Sequence, residues 1–159
     1  MSGYSWTLPG VTLGSQGIGA AERASQYDRL WGKDIWLDVR DGAANLEVTP
    51  SGDWLLASGA VALRQAINRR ILTDPGEWAT LPNYGVGARS FVKARRTRAA
   101  MDELIERIRG QLVQDPRVED VAGVVIDDAT PDQLTISVWI LAKGRSRQTE
   151  MVRASVEVS

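Results

Sequence analysis

The sequence predicts an α+β domain: two main helices packed on a mixed or antiparallel sheet, behind an extended N-terminal arm. Three observations carry this reading. Apolar residues recur at helical spacing in two stretches, at Leu63, Ile67 and Ile71, and again at Met101, Leu104, Ile105, Ile108 and Leu112. Alternation with period two occurs before the first stretch and after the second, the signature of half-buried strands. The 159 residues are 43% hydrophobic and 25% charged, about one domain's worth of chain with enough apolar surface for a core.

Residues 1–20 carry Gly3, Pro9, Gly10, Gly14, Gly17 and Gly19, with Trp6, Leu8, Val11 and Leu13 at no regular spacing. Such a stretch cannot build its own core and reads as an arm. Tyr4 and Trp6 favour an arm that packs on something, a neighbouring subunit included, over a loose terminus. The arm is assigned to 1–33 and the domain to 34–159. Residues 20–31 read as a short helix or turn. Ile35, Leu37 and Val39 then alternate with Trp36, Asp38 and Arg40, and Leu46 and Val48 follow the turn Asp41-Gly42. Ser58 is the expected N-cap of a helix running to about Leu72, where Thr73-Asp74-Pro75-Gly76 stops it.

Residues 73–92 form a long connection, with Trp78, Leu81, Tyr84 and Phe91 as its expected anchors. Thr97 should cap the second helix, to about Gln114, with Asp102 and Glu103 placed to suit the helix dipole. Strands follow: Val121 to Ile126, then Leu134, Ile136, Val138 and Ile140, and last Val152, Ala154, Val156 and Val158 after the basic loop 143–147. A terminal strand is commonly an edge strand, free to pair with another chain.

Composition excludes much chemistry. The chain has no Cys and no His, so it has no disulfide, thiolate metal site, Cys nucleophile, Ser-His-Asp triad or imidazole base. Its net charge is −1, which argues against a general attraction to nucleic acid or anionic membrane. The start MSGYSWTLPGVTLG lacks a basic region and a long apolar run, and no window spans a membrane, so a soluble protein made in a cytoplasm is expected.

The remaining motifs have weak claims. Gly14-Ser15-Gln16-Gly17-Ile18-Gly19 lacks the spacing and the preceding strand of a dinucleotide loop, and no P-loop is present, so no cofactor is expected. Asp74 and Glu77 form the best carboxylate pair for a glycosidase, against helix-end capping as the plainer role. Asp127, Asp128 and Asp132 lack the EF-hand pattern and read as a polar turn, so no metal is expected. Residues 64–109 hold ten basic and five acidic residues, and Arg89 to Arg98 contains five cations and no acid. Phosphates or an acidic protein surface would suit that run, and whole-chain neutrality favours protein. Trp36 and Trp139 lie opposite the aliphatic stripes; either the monomer covers both sheet faces or these rings anchor a partner.

Leu63-Arg64-Gln65-Ala66-Ile67, Leu72-Thr73-Asp74-Pro75-Gly76-Glu77 and Pro82-Asn83-Tyr84-Gly85 together resemble the lysozyme-like baseplate wedge family, the sheath initiators of contractile phage tails, type VI secretion systems and related injection particles. Their pattern is a helix, a Thr-x-x-Gly-Glu turn, Pro-x-aromatic-Gly, a second helix and C-terminal strands, matched in order here from about residue 35 to 158. Many members carry Glu-Pro-Arg where this chain has Leu81-Pro82-Asn83. The resemblance implies sheath-like C-terminal strands and a non-catalytic baseplate protein, six copies per baseplate, joining the wedge scaffold proteins to the first sheath ring.

It implies wedge contacts around Glu77, Trp78, Pro82, Asn83, Tyr84, Gly85, Arg89, Arg95 and Arg96. It implies sheath-protein contacts at Met151, Val152, Arg153, Val156 and Val158, with tube or hub proteins as further partners of the arm. The family's lysozyme label leaves a peptidoglycan-cleaving glycosidase as the alternative, and a nucleic-acid module using Arg89 to Arg98 as a third.

Overall fold

Leu134, Ile136, Val138, Ile140 and Ala142 are all fully buried, while the residues between them are half-buried. This alternation makes the strand Gln133–Ala142 the centre of the main sheet, with one face turned to the core. The computed structural model describes residues 4–5, 31–40, 43–93, 97–130, 133–144 and 149–157. In chain order its strands are β1 (Tyr4–Ser5), β2 (Lys33–Ile35), β3 (Leu37–Arg40), β4 (Ala43–Leu46), β5 (Leu56–Ser58), β6 (Val118–Thr130), β7 (Gln133–Ala142) and β8 (Thr149–Glu157). Its helices are α1 (Gly59–Leu72), α2 (Ala88–Lys93) and α3 (Arg98–Leu112). The main sheet has the order β1-β8-β7-β6 and every pairing in it is antiparallel.

The core is what the two helical stripes meet on that sheet. Leu63, Ile67 and Ile71 of α1 and Leu104, Ile108 and Leu112 of α3 pack with Val152, Ala154 and Val156 of β8 and the inner residues of β7. Each such aliphatic side chain, fully buried, contributes about 1.5–3 kcal/mol relative to exposure. The α+β class and both main helices are as expected, and α3 ends at Leu112 before a turn. Thr97 caps it, its hydroxyl oxygen accepting from the Ala100 amide at 3.2 Å.

Four details differ from expectation. Ser58 stands at the N-cap of α1 but makes no capping bond. It is the last residue of β5, opposite Lys33 in that ladder. The connection 73–92 contains a short helix, α2, whose Ala88, Phe91 and Val92 are buried; six residues are too few to show a periodic stripe. Trp36 is buried against Ala57 and Ala62 in a second small core, while its neighbour Ile35 is 40% exposed. Trp31, on the arm side of the expected boundary, is 2% exposed within the main core. Its indole N–H donates to the Lys143 carbonyl at 2.9 Å, and its own carbonyl accepts from Arg117 at 3.2 Å.

Candidate functional site: a clamped loop and a strand edge

The chain between α1 and α2 folds back on itself. The Thr73 hydroxyl and amide both donate to the Arg69 carbonyl, at 2.7 and 2.9 Å, closing α1. The Glu77 carboxylate accepts from the Asp74 amide at 3.0 Å, and the Glu77 amide donates to the Asp74 carbonyl at 3.1 Å. Gly76 donates to the Pro82 carbonyl at 2.9 Å, Val86 to Arg70 at 3.0 Å and Gly87 to Thr73 at 2.9 Å. The Thr-x-x-Gly-Glu turn is thus a self-bonded knot at the end of a helix. Gly85 has φ +106°, and a Cβ there would lie 2.3 Å from the Thr73 carbonyl oxygen. No other residue fits this crossing without moving the main chain.

Side chains then fix the knot to the helices. Trp78 and Tyr84 stack with ring centroids 5.4 Å apart, and the Arg70 guanidinium sits 4.4 Å above the Tyr84 ring. Gln111 of α3 accepts from the Gly85 amide at 3.2 Å and donates to the Asn83 carbonyl at 2.9 Å. Its own carbonyl takes a bond from Arg70 at 3.2 Å. Asn83 is therefore held through its main chain, which leaves the side chain at that position free to vary, as the departure from Glu-Pro-Arg requires.

Of the expected wedge residues, Glu77, Trp78, Pro82 and Asn83 are exposed, Tyr84 and Arg89 are half-buried, and Gly85 is buried. Arg95 and Arg96 lie outside the described residues. Asp74 is held above the usual carboxylate range, first by burial and second by the charge of Glu77. A raised acid suits proton donation, but the Glu77 carboxylate is already bonded within the turn. Among the described residues no group of three or more acids gathers to hold a metal, and no helix is long and apolar enough to cross a membrane.

The basic excess over 64–109 is largely spent inside the fold. Arg64 pairs with buried Glu150, Arg69 with Asp34 and Arg107 with Glu103, each at 2.7 Å. Arg109 donates to the Val121 carbonyl at 2.8 Å, and Arg70 is engaged as above. Arg64, Arg69 and Arg109 tie helices to strands, Arg70 ties α1 to α3 and the loop, and Arg107 pairs within α3, so these five cations are engaged separately.

The second feature is the outer edge of β8. β8 pairs with β7 from Thr149 to Glu157. On its other side, among the described residues, only Ser155 and Val156 have strand partners, Ser5 and Tyr4 of β1. Met151 and Arg153 are exposed, Val152 and Val156 are fully buried on the core face, and Val158 lies outside the described residues.

Several contributing residues had no readable signal. Gln111 looks like any polar residue on the outer face of a helix, and Arg70 like any basic residue at a helix end. A further surface did have one: Leu46, Val48, Trp54 and Leu56 alternate along their segments. With Ile35 they form an apolar face exposed by 40–61%, built on the pairings Ile35 to Leu56 and Val48 to Trp54.

Comparison with known proteins gives a family. The model of the contractile injection system sheath initiators matches residues 33–138, more than half of the chain. A crystal structure of a putative tail lysozyme from Geobacter sulfurreducens is similar in fold, with TM-score 0.56 and 17% identity over 66% of this chain and 96% of that one. The cryo-EM structure of the anti-feeding prophage baseplate aligns with TM-score 0.43 and 19% identity, over 70% of this chain and 79% of that one. No curated protein matches the chain by sequence.

Proposed function

Since the chain belongs to the contractile injection system sheath initiator family and is a structural component of its baseplate, we propose that it joins the wedge scaffold to the first sheath ring by two separate surfaces. The clamped loop, through Glu77, Trp78, Pro82, Asn83, Tyr84, Gly85 and Arg89, and through Arg95 and Arg96 beyond it, faces the wedge proteins. The edge of β8, around Met151, Val152, Arg153, Val156 and Val158, receives a strand of the sheath protein. The observation that supports this best is β8 itself, whose ladder with β7 runs from Thr149 to Glu157 while the exposed side chains of Met151 and Arg153 face away from the core. An edge of unpaired N–H and C=O groups recruits extended backbone by main-chain bonds. Assembly runs from wedge to sheath, with six copies per baseplate, and the chain is made and assembled in the bacterial cytoplasm. Residues 34–159, with Trp31 packed into them, do this work, and the arm reaches tube or hub proteins.

The role is non-catalytic. The lysozyme-like neighbour shares the fold, and Glu77 serves the turn. A turbidity assay on purified cell walls should show no clearing; clearing abolished by Glu77→Gln would establish the glycosidase instead. Deleting β8 is a poor test of sheath contact, because Val152, Ala154 and Val156 are fully buried. A photo-crosslinking residue at Met151 or Arg153 leaves the strand in place. Crosslinks to sheath protein from these two positions, and none from exposed Val125 on β6, are expected; the reverse pattern would sink the assignment.

A further inference from the structure

A small cleft opens where the clamped loop, α2 and α3 meet. Its volume is about 280 Å³, and Asp74, Pro75, Gly87, Arg89, Ser90 and Arg107 line it. Drug-sized ligands occupy pockets of about 300–1,000 Å³, so this one suits a single side chain. Its floor is main chain: a Cβ on Gly87 would meet Pro75 Cδ at 2.9 Å and Asp74 Oδ1 at 3.4 Å. The Gly87 amide donates to the Thr73 carbonyl at 2.9 Å, and the Ser90 amide and hydroxyl donate to the Gly87 carbonyl at 3.1 and 2.8 Å. The donors that this lining can turn toward an outside group are therefore guanidinium N–H groups. The Arg107 guanidinium lies 5.1 Å from the centroid of the Phe91 ring and bonds Glu103 at 2.7 Å, with both side chains exposed. An exposed ion pair one helical turn apart contributes little, and a guanidinium has donors to spare beyond a single carboxylate. Arg107 can thus take a second carboxylate or exchange the first. Arg89 adds a second positive charge on the α2 wall, against the one lining acid, Asp74.

We propose that this cleft receives an acidic side chain of the wedge scaffold partner, held by the guanidinium groups of Arg107 and Arg89. A planar guanidinium fork matches the two oxygens of a carboxylate. Two cations against one acid favour an anionic guest over a cationic one. Asp74 works against that guest by its like charge, so removing its charge should tighten binding. The proposal rests on the wedge contact assigned to the loop above and names the chemistry of that contact.

Purified wedge scaffold protein of the same particle is the probe, with the full chain. Arg107→Gln should weaken binding about tenfold and flatten its dependence on salt. Glu103→Gln, which releases Arg107, and Asp74→Asn should each tighten it about threefold. Arg107 and Glu103 are exposed, so these two variants keep the fold. Tighter binding by Arg107→Gln with weaker binding by Asp74→Asn would make the guest a cation and overturn the proposal, as would parent-like binding by all three variants at low salt. Arg107→Lys gives a direct readout: a carbodiimide should join the introduced amine to an Asp or Glu of the wedge protein, located by mass spectrometry. Coupling to Glu103 of the same chain alone would overturn the proposal. A photo-crosslinking residue at Asn83 separates this failure from failure of the wedge contact. Crosslinks from Asn83 to wedge protein, with binding indifferent to Arg107, refute the cleft alone. No binding and no crosslink by any form refutes the loop as the wedge surface, and the cleft with it.

Discussion

Gly85→Ala is the sharpest perturbation of the clamped loop. Gly85 has φ +106°, outside the range an L side chain adopts freely, and its new Cβ would stand 2.3 Å from the Thr73 carbonyl oxygen and 2.8 Å from its carbon. The backbone strain costs about 1–3 kcal/mol. The clash adds to it, because the Thr73 carbonyl accepts from Gly87 and the Gly85 amide donates to Gln111, and the chain cannot separate without stretching both bonds. Each lost bond costs about 1 kcal/mol, so the total is about 3–5 kcal/mol. Gly76→Ala is the control: φ is +83°, but nothing lies within 4 Å of the added carbon, so only the strain applies. Gly87→Ala falls between them, with Pro75 Cδ at 2.9 Å. Urea unfolding followed by Trp fluorescence gives the three midpoints. With a slope of about 1–3 kcal/mol/M, Gly85→Ala should lower the midpoint by more than about 1 M and by clearly more than Gly76→Ala. Equal midpoints for the two variants would refute the close crossing at Thr73.

Other outcomes follow from the same contacts. Burial opposes ionisation of Asp115, but the hydrogen bonds and charge of Arg117, with the charge of Arg70, outweigh it and hold the carboxyl below its ordinary value; Asp34 behaves alike beside Arg69. Because both are depressed on folding, their stabilisation is present above the ordinary carboxylate value of 3.8 and is lost as pH falls through the lower folded values. Asp115→Asn, which leaves Arg117 without its carboxylate partner, should cost about 2–4 kcal/mol at neutral pH and flatten the acid limb of a stability–pH curve. Asn68 is fully buried with neither amide atom hydrogen-bonded, so Asn68→Leu should stabilise by about 1–3 kcal/mol; a loss of stability by calorimetry would show that the amide is satisfied in solution. Tyr84→Ala removes both the Trp78 stack and the Arg70 contact and should lower stability by about 1–3 kcal/mol, with wedge binding lost in a pull-down.

What was legible in the sequence was whatever repeats. The stripes of α1 and α3 and the alternation of β7 and β8 are periodic, and each packs as its period says. Singular features were harder to read. Trp36 and Ile35 exchange the faces that hydropathy alone would give them, because the small core around Ala57 and Ala62 has room for an indole. The basic excess over 64–109 looked like a binding face by its charge count, yet Arg64 and Arg69 are each paired with a carboxylate on a strand and Arg107 with one a helical turn away. The loop motif could be matched by resemblance, but the reason for its glycine lies in a crossing of Gly85 over Thr73 that only three dimensions show. The pairing of Tyr4 and Ser5 with β8 joins the two ends of the chain, a separation over which no local pattern speaks.

The most direct test of the whole account is a cryo-EM reconstruction of the assembled baseplate with its first sheath ring, at a resolution that traces main chain. The account predicts a strand of sheath protein hydrogen-bonded along the outer edge of β8. A sheath ring in place beside a β8 whose outer edge carries no backbone from another chain would contradict it.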